Sequence, residues 1–241
     1  MVLIRSLTFL LFLTLTTMVM APLFFLLKWF IPFKSLGRLG NLWGRINLEG
    51  LGLICGLKYR LHGFDKIPVD NCIVMSKHSS AWETIALRGL LPPRTTWVIK
   101  RELLWIPIFG WGMAAFDPIA LDRKAGRQAI KKLLQDGRKW LDAGRWVVIF
   151  PEGTRVAPGE RIKYNLGGAM LAEKTGYPVL PIAHNAGVFW SRRGVLKYPG
   201  VIDLVVGDPI ATRGLKASEI NHHVEQWIEN TIQGLPGKRS S

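Results

Sequence analysis

The stretch Trp146-Val-Val-Ile-Phe150-Pro151-Glu152-Gly153-Thr154-Arg155 joins an apolar, β-branched run to a polar turn. The first five residues read as a strand, and Pro151 stops it because proline cannot donate to a ladder. Working outward, equivalent runs occur at Tyr59 to His62, Cys72 to Ser76, Thr96 to Lys100, Pro118 to Leu121, Val179 to Ala183 and Ile202 to Val206. Helical patterns lie between them. The clearest is Gly126 to Ala143, where Ile130, Leu133, Leu134 and Leu141 recur at helical spacing with charges opposite. Such alternation predicts an α/β fold over residues 59–241, a mixed, largely parallel sheet flanked by helices. No internal repeat interrupts it, and the tail from Gly234 to Ser241 reads as frayed.

The composition bounds what this fold can be. The chain has 241 residues, 49% of them hydrophobic, with ten Trp and eleven Phe that need a core. That excludes disorder as the main state. Two cysteines, Cys55 and Cys72, are too few for a disulfide framework and fit a reducing compartment. A formal charge of +15 asks for an anionic partner: nucleic acid, an acidic carrier protein, phospholipid head groups or a phosphorylated substrate. With no extended block of Lys and Arg, a nucleic-acid arm finds little support, and an anionic phospholipid membrane is the expected partner instead.

Residues 1–58 read as a hydrophobic two-helix membrane motif, either an embedded helical hairpin or a membrane anchor. From Ser6 to Leu27 there is no charge, enough length to cross a hydrocarbon layer of about 30 Å as one helix. A signal peptide would be shorter, and Pro22 directly follows Ala21, the one small-residue site. A second segment, Leu36 to Leu57, carries Gly40-Asn-Leu-Trp-Gly44 and Gly52-Leu-Ile-Cys-Gly56. Those spacings give a smooth face on which another helix packs closely in lipid. Pro32 to Gly37 reads as the turn between them. Glu49 and Gly50 interrupt the second segment, which favours a hairpin in one leaflet. Residues 1–58 hold six basic residues and one acidic residue, and the basic ones after the first segment place the α/β part in the cytoplasm.

In such a sheet, chemistry collects on the loops beyond the strand ends. Three polar clusters occupy those places. After Cys72 to Ser76 comes Lys77-His78-Ser79-Ser80-Ala81-Trp82-Glu83. If a helix starts near Ser79 or Ser80, Glu83 reaches one imidazole nitrogen of His78 and leaves the other free to take a proton. A Ser N-cap with a capping-box Glu and a bystander His is the competing reading. In the opening stretch, Gly153 permits close backbone approach, Arg155 offers a planar fork for phosphate, and Glu152 can accept a substrate hydroxyl or hold the arginine. A strand-ending turn with a surface salt bridge would look the same. Lys100-Arg101-Glu102-Leu103 suits either a second anion site or a solvated edge.

Taken together, these blocks resemble the glycerolipid acyltransferase family of membrane-bound enzymes. His78 to Glu83 matches HxxxxD/E, Lys100 to Gly110 matches KxELxxxPxxG, Phe150 to Arg155 is FPEGTR in full, and Val179 to Ile182 matches a weaker VxPI block. The commoner acid in the first block is Asp; here it is Glu83. The resemblance implies transfer of a fatty acyl group from acyl-CoA or acyl-carrier protein to the sn-2 hydroxyl of lysophosphatidic acid, giving phosphatidic acid at the inner (cytoplasmic) membrane. It implies His78 and Glu83 as the catalytic pair, and Lys100, Arg101, Glu152, Gly153, Thr154 and Arg155 as substrate-binding residues. Another lysolipid acceptor, or a lysophospholipid hydrolase using Ser79 or Ser80, stays open. A thioester already carries a good leaving group, so no enzyme nucleophile is required, and no G-x-S-x-G elbow is present. No cofactor and no metal is expected, since none of His62, His78, His184, His222 and His223 sits at zinc-ligand spacing.

Overall fold

A computed structural model describes residues 1–237. The reading of the tail as frayed falls partly on residues 238–241, outside the described residues; before them a helix extends to Gly234. The helices are α1 (Val2–Leu27), α2 (Phe33–Cys55), α3 (Trp82–Leu90), α4 (Phe109–Ala114), α5 (Arg127–Asp142), α6 (Gly167–Thr175), α7 (Ala186–Phe189) and α8 (Ala217–Gly234). The strands are β1 (Leu57–His62), β2 (Ile73–Ser76), β3 (Thr95–Lys100), β4 (Ile119–Leu121), β5 (Trp146–Ile149), β6 (Val179–His184) and β7 (Gly200–Val206). Each of the seven apolar runs read from the sequence forms a strand.

They make one sheet in the order β1-β7-β6-β2-β5-β3-β4. The block β6-β2-β5-β3-β4 is parallel throughout, β1 and β7 are parallel to each other, and β6 meets β7 antiparallel. β2 is central, with β5 on one side and β6 on the other. The chain therefore leaves β2 toward one edge and later returns to its other side, the reversal at which open sheets form a crevice. β2 and β5 are buried at every residue, as a strand covered on both faces must be. On one face Val74 and Val148 pack with Trp82, Leu87 and Phe189; on the other Ile73, Met75 and Val147 pack with Leu133, Leu171 and Ile228.

The N-terminal segment differs from expectation in its details. The turn lies at residues 28–32, and Pro32 is the N-cap of α2 rather than the start of a loop. Proline suits that place because its missing N–H would have no helical partner. α2 runs unbroken through Glu49 and Gly50, and a Cβ at Gly50 would meet Phe12 of α1 at 2.4 Å. The first GxxxG spacing does mark close contacts, but not with α1: Gly44 meets α3, and Gly40 meets Phe116 just past α4. A Cβ at Gly44 would lie 2.5 Å from the Gly89 amide nitrogen, and one at Gly40 would lie 2.9 Å from the Phe116 ring. The second spacing is no helix interface. Among the described residues outside its own helix turn, a Cβ at Gly52 would meet nothing closer than 4.0 Å, and Gly56 closes α2 with φ +68°, a conformation glycine adopts without strain.

α1 is apolar nearly all round and, at 26 residues, about 39 Å long. Its length and composition suffice to cross a membrane. Leu3, Ile4, Leu11, Val19, Trp29 and Phe30 at or just beyond it are exposed, an apolar surface that water does not favour. Other residues of α1 are buried against the α/β layer: Phe9 meets Trp190 edge-on at 5.9 Å, and Phe24 meets Phe116 at 5.2 Å.

Candidate active site

Parallel register decides what meets at the crevice. Met75 of β2 lies beside Ile149 of β5, so the loops that follow the two strands, His78 to Glu83 and Phe150 to Arg155, start side by side. Backbone bonds clasp them: the Val156 amide donates to the His78 carbonyl at 2.8 Å, and the His78 amide donates to Glu152 Oε1 at 3.1 Å. β3 lies beside β5 and ends at Lys100, which is paired with Leu121 of β4, so residues just beyond β4 join the same edge.

α3 starts at Trp82, with Ala81 as its N-cap, slightly later than the sequence suggests. The carboxylate of Glu83 nevertheless turns back over its own helix start. Glu83 Oε1 accepts the amides of Ser79 and Ser80, each at 2.9 Å, and lies 2.8 Å from Nδ1 of His78. Cap and catalytic pair are thus one arrangement and not alternatives. Burial pushes the Glu83 carboxyl up, but the pull of His184 and the hydrogen bonds from His78 and the Ser80 amide outweigh it and hold the group below the ordinary carboxylate range. An ionised carboxylate only accepts, so Nδ1 of His78 carries the proton and Nε2 keeps a lone pair. The imidazole also stacks on Phe150, with ring centroids 4.0 Å apart, which fixes its plane.

His78 opens into a cavity of about 570 Å³. Lys100, Arg123 and Arg155 also line it, and its long apolar wall includes Leu13, Met20 and Phe24 of α1 with Ile85 of α3 and Met113 of α4. The basic groups suit an anion and the wall suits a hydrocarbon chain. Arg155 donates to the Arg192 carbonyl, and Arg192 donates back to that of Arg155, which ties the two loops together. Gly153 has φ +70° in the turn after β5, and a Cβ there would press on the Asn165 amide at 2.9 Å. Thr154 is exposed beside it.

Two charged residues expected to bind substrate lie outside the cavity lining. Arg101 does not line the cavity: it pairs with Asp122 at 3.0 Å and lies over the Trp105 ring, because the turn after β3 points it outward. Glu152 does not line the cavity either. Its side chain is fully buried and lies 3.4 Å from the Lys77 ammonium. Arg123 is the functional candidate that motif reading missed. It follows β4 and donates to the Gly153 carbonyl; partial desolvation there pulls its pKa down, offset in part by Glu102. Its place just beyond the strand-like run Pro118 to Leu121 is the sequence signal that points to it. Ser79 and Ser80 are buried, and their hydroxyls accept the amides of Gly187 and Trp82, so both act in local structure. Among the described residues, no group of three or more His, Cys, Asp or Glu is placed to hold a metal ion.

Burial drives the Glu152 carboxyl from an ordinary 4.5 up to about 7, partly offset by Lys77 and the His78 amide. A carboxyl whose pKa rises on folding contributes stability that is fully present below pH 4.5 and lost as pH rises through about 7. Ionised Glu152 therefore costs the fold up to about 3 kcal/mol at pH 8. Glu152→Gln should gain in melting temperature relative to the parent between pH 5 and pH 8. A difference between the two proteins that does not change with pH would contradict this.

A buried acid orienting a histidine in a crevice with basic groups and an apolar wall defines a transfer or hydrolysis site for an amphiphilic anion. The chain belongs to the Acyltransferase family, whose model matches residues 58–185. It is 40% identical over 233 residues to the 1-acyl-sn-glycerol-3-phosphate acyltransferase of Pseudomonas aeruginosa, covering 95% of this chain and 90% of that one. It is 26% identical to the coconut (Cocos nucifera) protein of the same name, over 88% of this chain and 68% of the relative. Its fold matches the crystal structure of the 1-acyl-sn-glycerophosphate (LPA) acyltransferase, PlsC, from Thermotoga maritima, with a TM-score of 0.82, 21% identity, and coverage of 100% of this chain and 98% of the other.

Proposed function

We propose that this protein transfers a fatty acyl group from acyl-CoA or acyl-carrier protein to the sn-2 hydroxyl of lysophosphatidic acid, giving phosphatidic acid. The observation that carries the reading is the shared cavity: the free Nε2 side of His78 and the cations Lys100, Arg123 and Arg155, with Arg88, meet one long apolar wall. The named relatives favour the same acceptor.

The chemistry follows from the tautomer. Nε2 of His78 takes the hydroxyl proton as the alcohol oxygen attacks the thioester carbon, and Glu83 stabilises the imidazolium. The tetrahedral intermediate then expels the thiolate, which receives that proton. One C–O bond forms and one C–S bond breaks, with no covalent enzyme intermediate. Lys100, Arg123 and Arg155 hold the phosphate, so most of the rate comes from orienting two bound lipids beside one base. In this reading α1 sits in the cytoplasmic leaflet of the inner membrane, with Lys28, Lys34, Arg38 and Arg45 toward the cytoplasmic side. The apolar exposed face of α1 and the charge of +15 support that placement.

The test is transfer by the purified protein in detergent, with lysophosphatidic acid set against neutral lysolipids and each donor supplied in turn. Lysophosphatidic acid should be preferred. No transfer to any acceptor, or preference for a lysolipid lacking the phosphomonoester, would defeat the proposal. Arg155→Ala should raise the acceptor KM roughly 10- to 100-fold, the value of a charge-assisted hydrogen bond, while kcat changes little. An unchanged acceptor KM would remove Arg155 from the phosphate site.

A further inference from the structure

Behind the catalytic loop, on the face of the sheet away from the cavity, lies a buried charged cluster that the chemistry above does not use. Side chains alternate along an extended chain. Val74 and His78 face α3 and the cavity, while Ile73, Met75 and Lys77 face α6 and α8. The Lys77 ammonium, only 5% exposed as a residue, lies 2.8 Å from Glu229 Oε1 of α8 and 3.4 Å from Glu152 Oε1. Tyr164 donates to the same Glu229 oxygen at 2.9 Å, and Arg161 lies 3.4 Å from its other oxygen. Glu152 in turn accepts the backbone amide of His78. A continuous chain of contacts therefore runs from the last helix to the residue that bears the base.

Such a cluster is a poor way to stabilise a fold, since desolvating three charges costs about as much as their attraction returns, and apolar side chains of the same volume would serve as well. Its contacts connect the last helix with the backbone of His78. Lys77 holds Glu152 at one place, and Glu152 holds the His78 amide there, while the Val156 amide holds the His78 carbonyl from the other side. Removing Glu229 leaves Lys77 with a single carboxylate at 3.4 Å and frees the ammonium to shift toward Glu152.

We propose that Glu229 is a positioning residue for the catalytic loop, acting through Lys77 and Glu152 to hold His78 at the depth from which Nε2 reaches the acceptor hydroxyl. The proposal rests on the acyl-transfer reading above. Glu229→Gln should lower kcat about 10-fold, the effect of loosening one charged contact, with the acceptor KM within about 2-fold because Lys100, Arg123 and Arg155 are untouched. Ile228→Ala is the control. It loosens the same helix through a fully buried apolar side chain, and should lower the melting temperature while leaving kcat within about 2-fold. The parent protein is assayed first, because failure of the parent to transfer sinks the acyl-transfer reading, whereas an active parent isolates the question of Glu229. With an active parent, a normal kcat in Glu229→Gln overturns the proposal, and so does an equal fall in kcat for Ile228→Ala. Should Glu229→Gln not fold, Lys77→Gln reads the same link, with a lowered kcat and near-normal KM expected and a normal kcat overturning it.

Discussion

His78→Ala is expected to lower acyl transfer to lysophosphatidic acid by about 10³-fold, within the range that a positioned general base supplies. The loss should fall on kcat, because the cations that hold the phosphate lie on other loops. The fold should survive: His78 lies at the cavity edge, and its removal exposes part of the Phe150 face while the backbone bonds to Glu152 and Val156 remain. Glu83 keeps the Ser79 and Ser80 amides and hence its capping role. Steady-state kinetics and thermal unfolding on the same preparation check both halves. Activity within a few-fold of the parent would mean that another group takes the proton.

Gly44→Leu should have the largest effect on stability. α2 and α3 cross in direct backbone contact, with a Cβ at Gly44 only 2.5 Å from the Gly89 nitrogen, 2.6 Å from its Cα and 3.0 Å from the Ile85 carbonyl oxygen. Backbone cannot swing aside as a side-chain end can, so the helices must separate, at a cost of about 3 kcal/mol. For a chain of this size that is a fall of roughly 6–12 °C in melting temperature. Activity should fall with it, since Trp43, Ile85 and Arg88 on the two helices line the cavity. Gly52→Leu makes the comparison, with no neighbour closer than 4.0 Å, and should be nearly neutral. Equal melting temperatures for the two variants would mean that the α2–α3 crossing is not as described.

The two glycine pairs show where local pattern stops informing. Both have the same spacing, and nothing in the sequence near Gly44 names Gly89 as its partner. The same holds for Glu152. Its type and its place after a strand are legible, and the motif it belongs to is specific, yet whether its carboxylate faces the cavity or the back of the sheet depends on Lys77 and Glu229, which are far away in the chain. Arg123 also follows a strand end, but β4 is only three residues long and marks its own end weakly.

By itself the sequence determined the seven strands and the apolar N-terminal helix and put Glu83 within reach of His78, because each depends on periodicity or on spacing within about one turn, and such local terms act whatever lies beyond. Only the tertiary structure decided that β2 lies between β5 and β6, that α2 rests on α3, that α1 walls the cavity and that Glu152 turns inward. Those outcomes are set by competition among distant surfaces for burial and among distant charges for partners, and neither is encoded in any one segment.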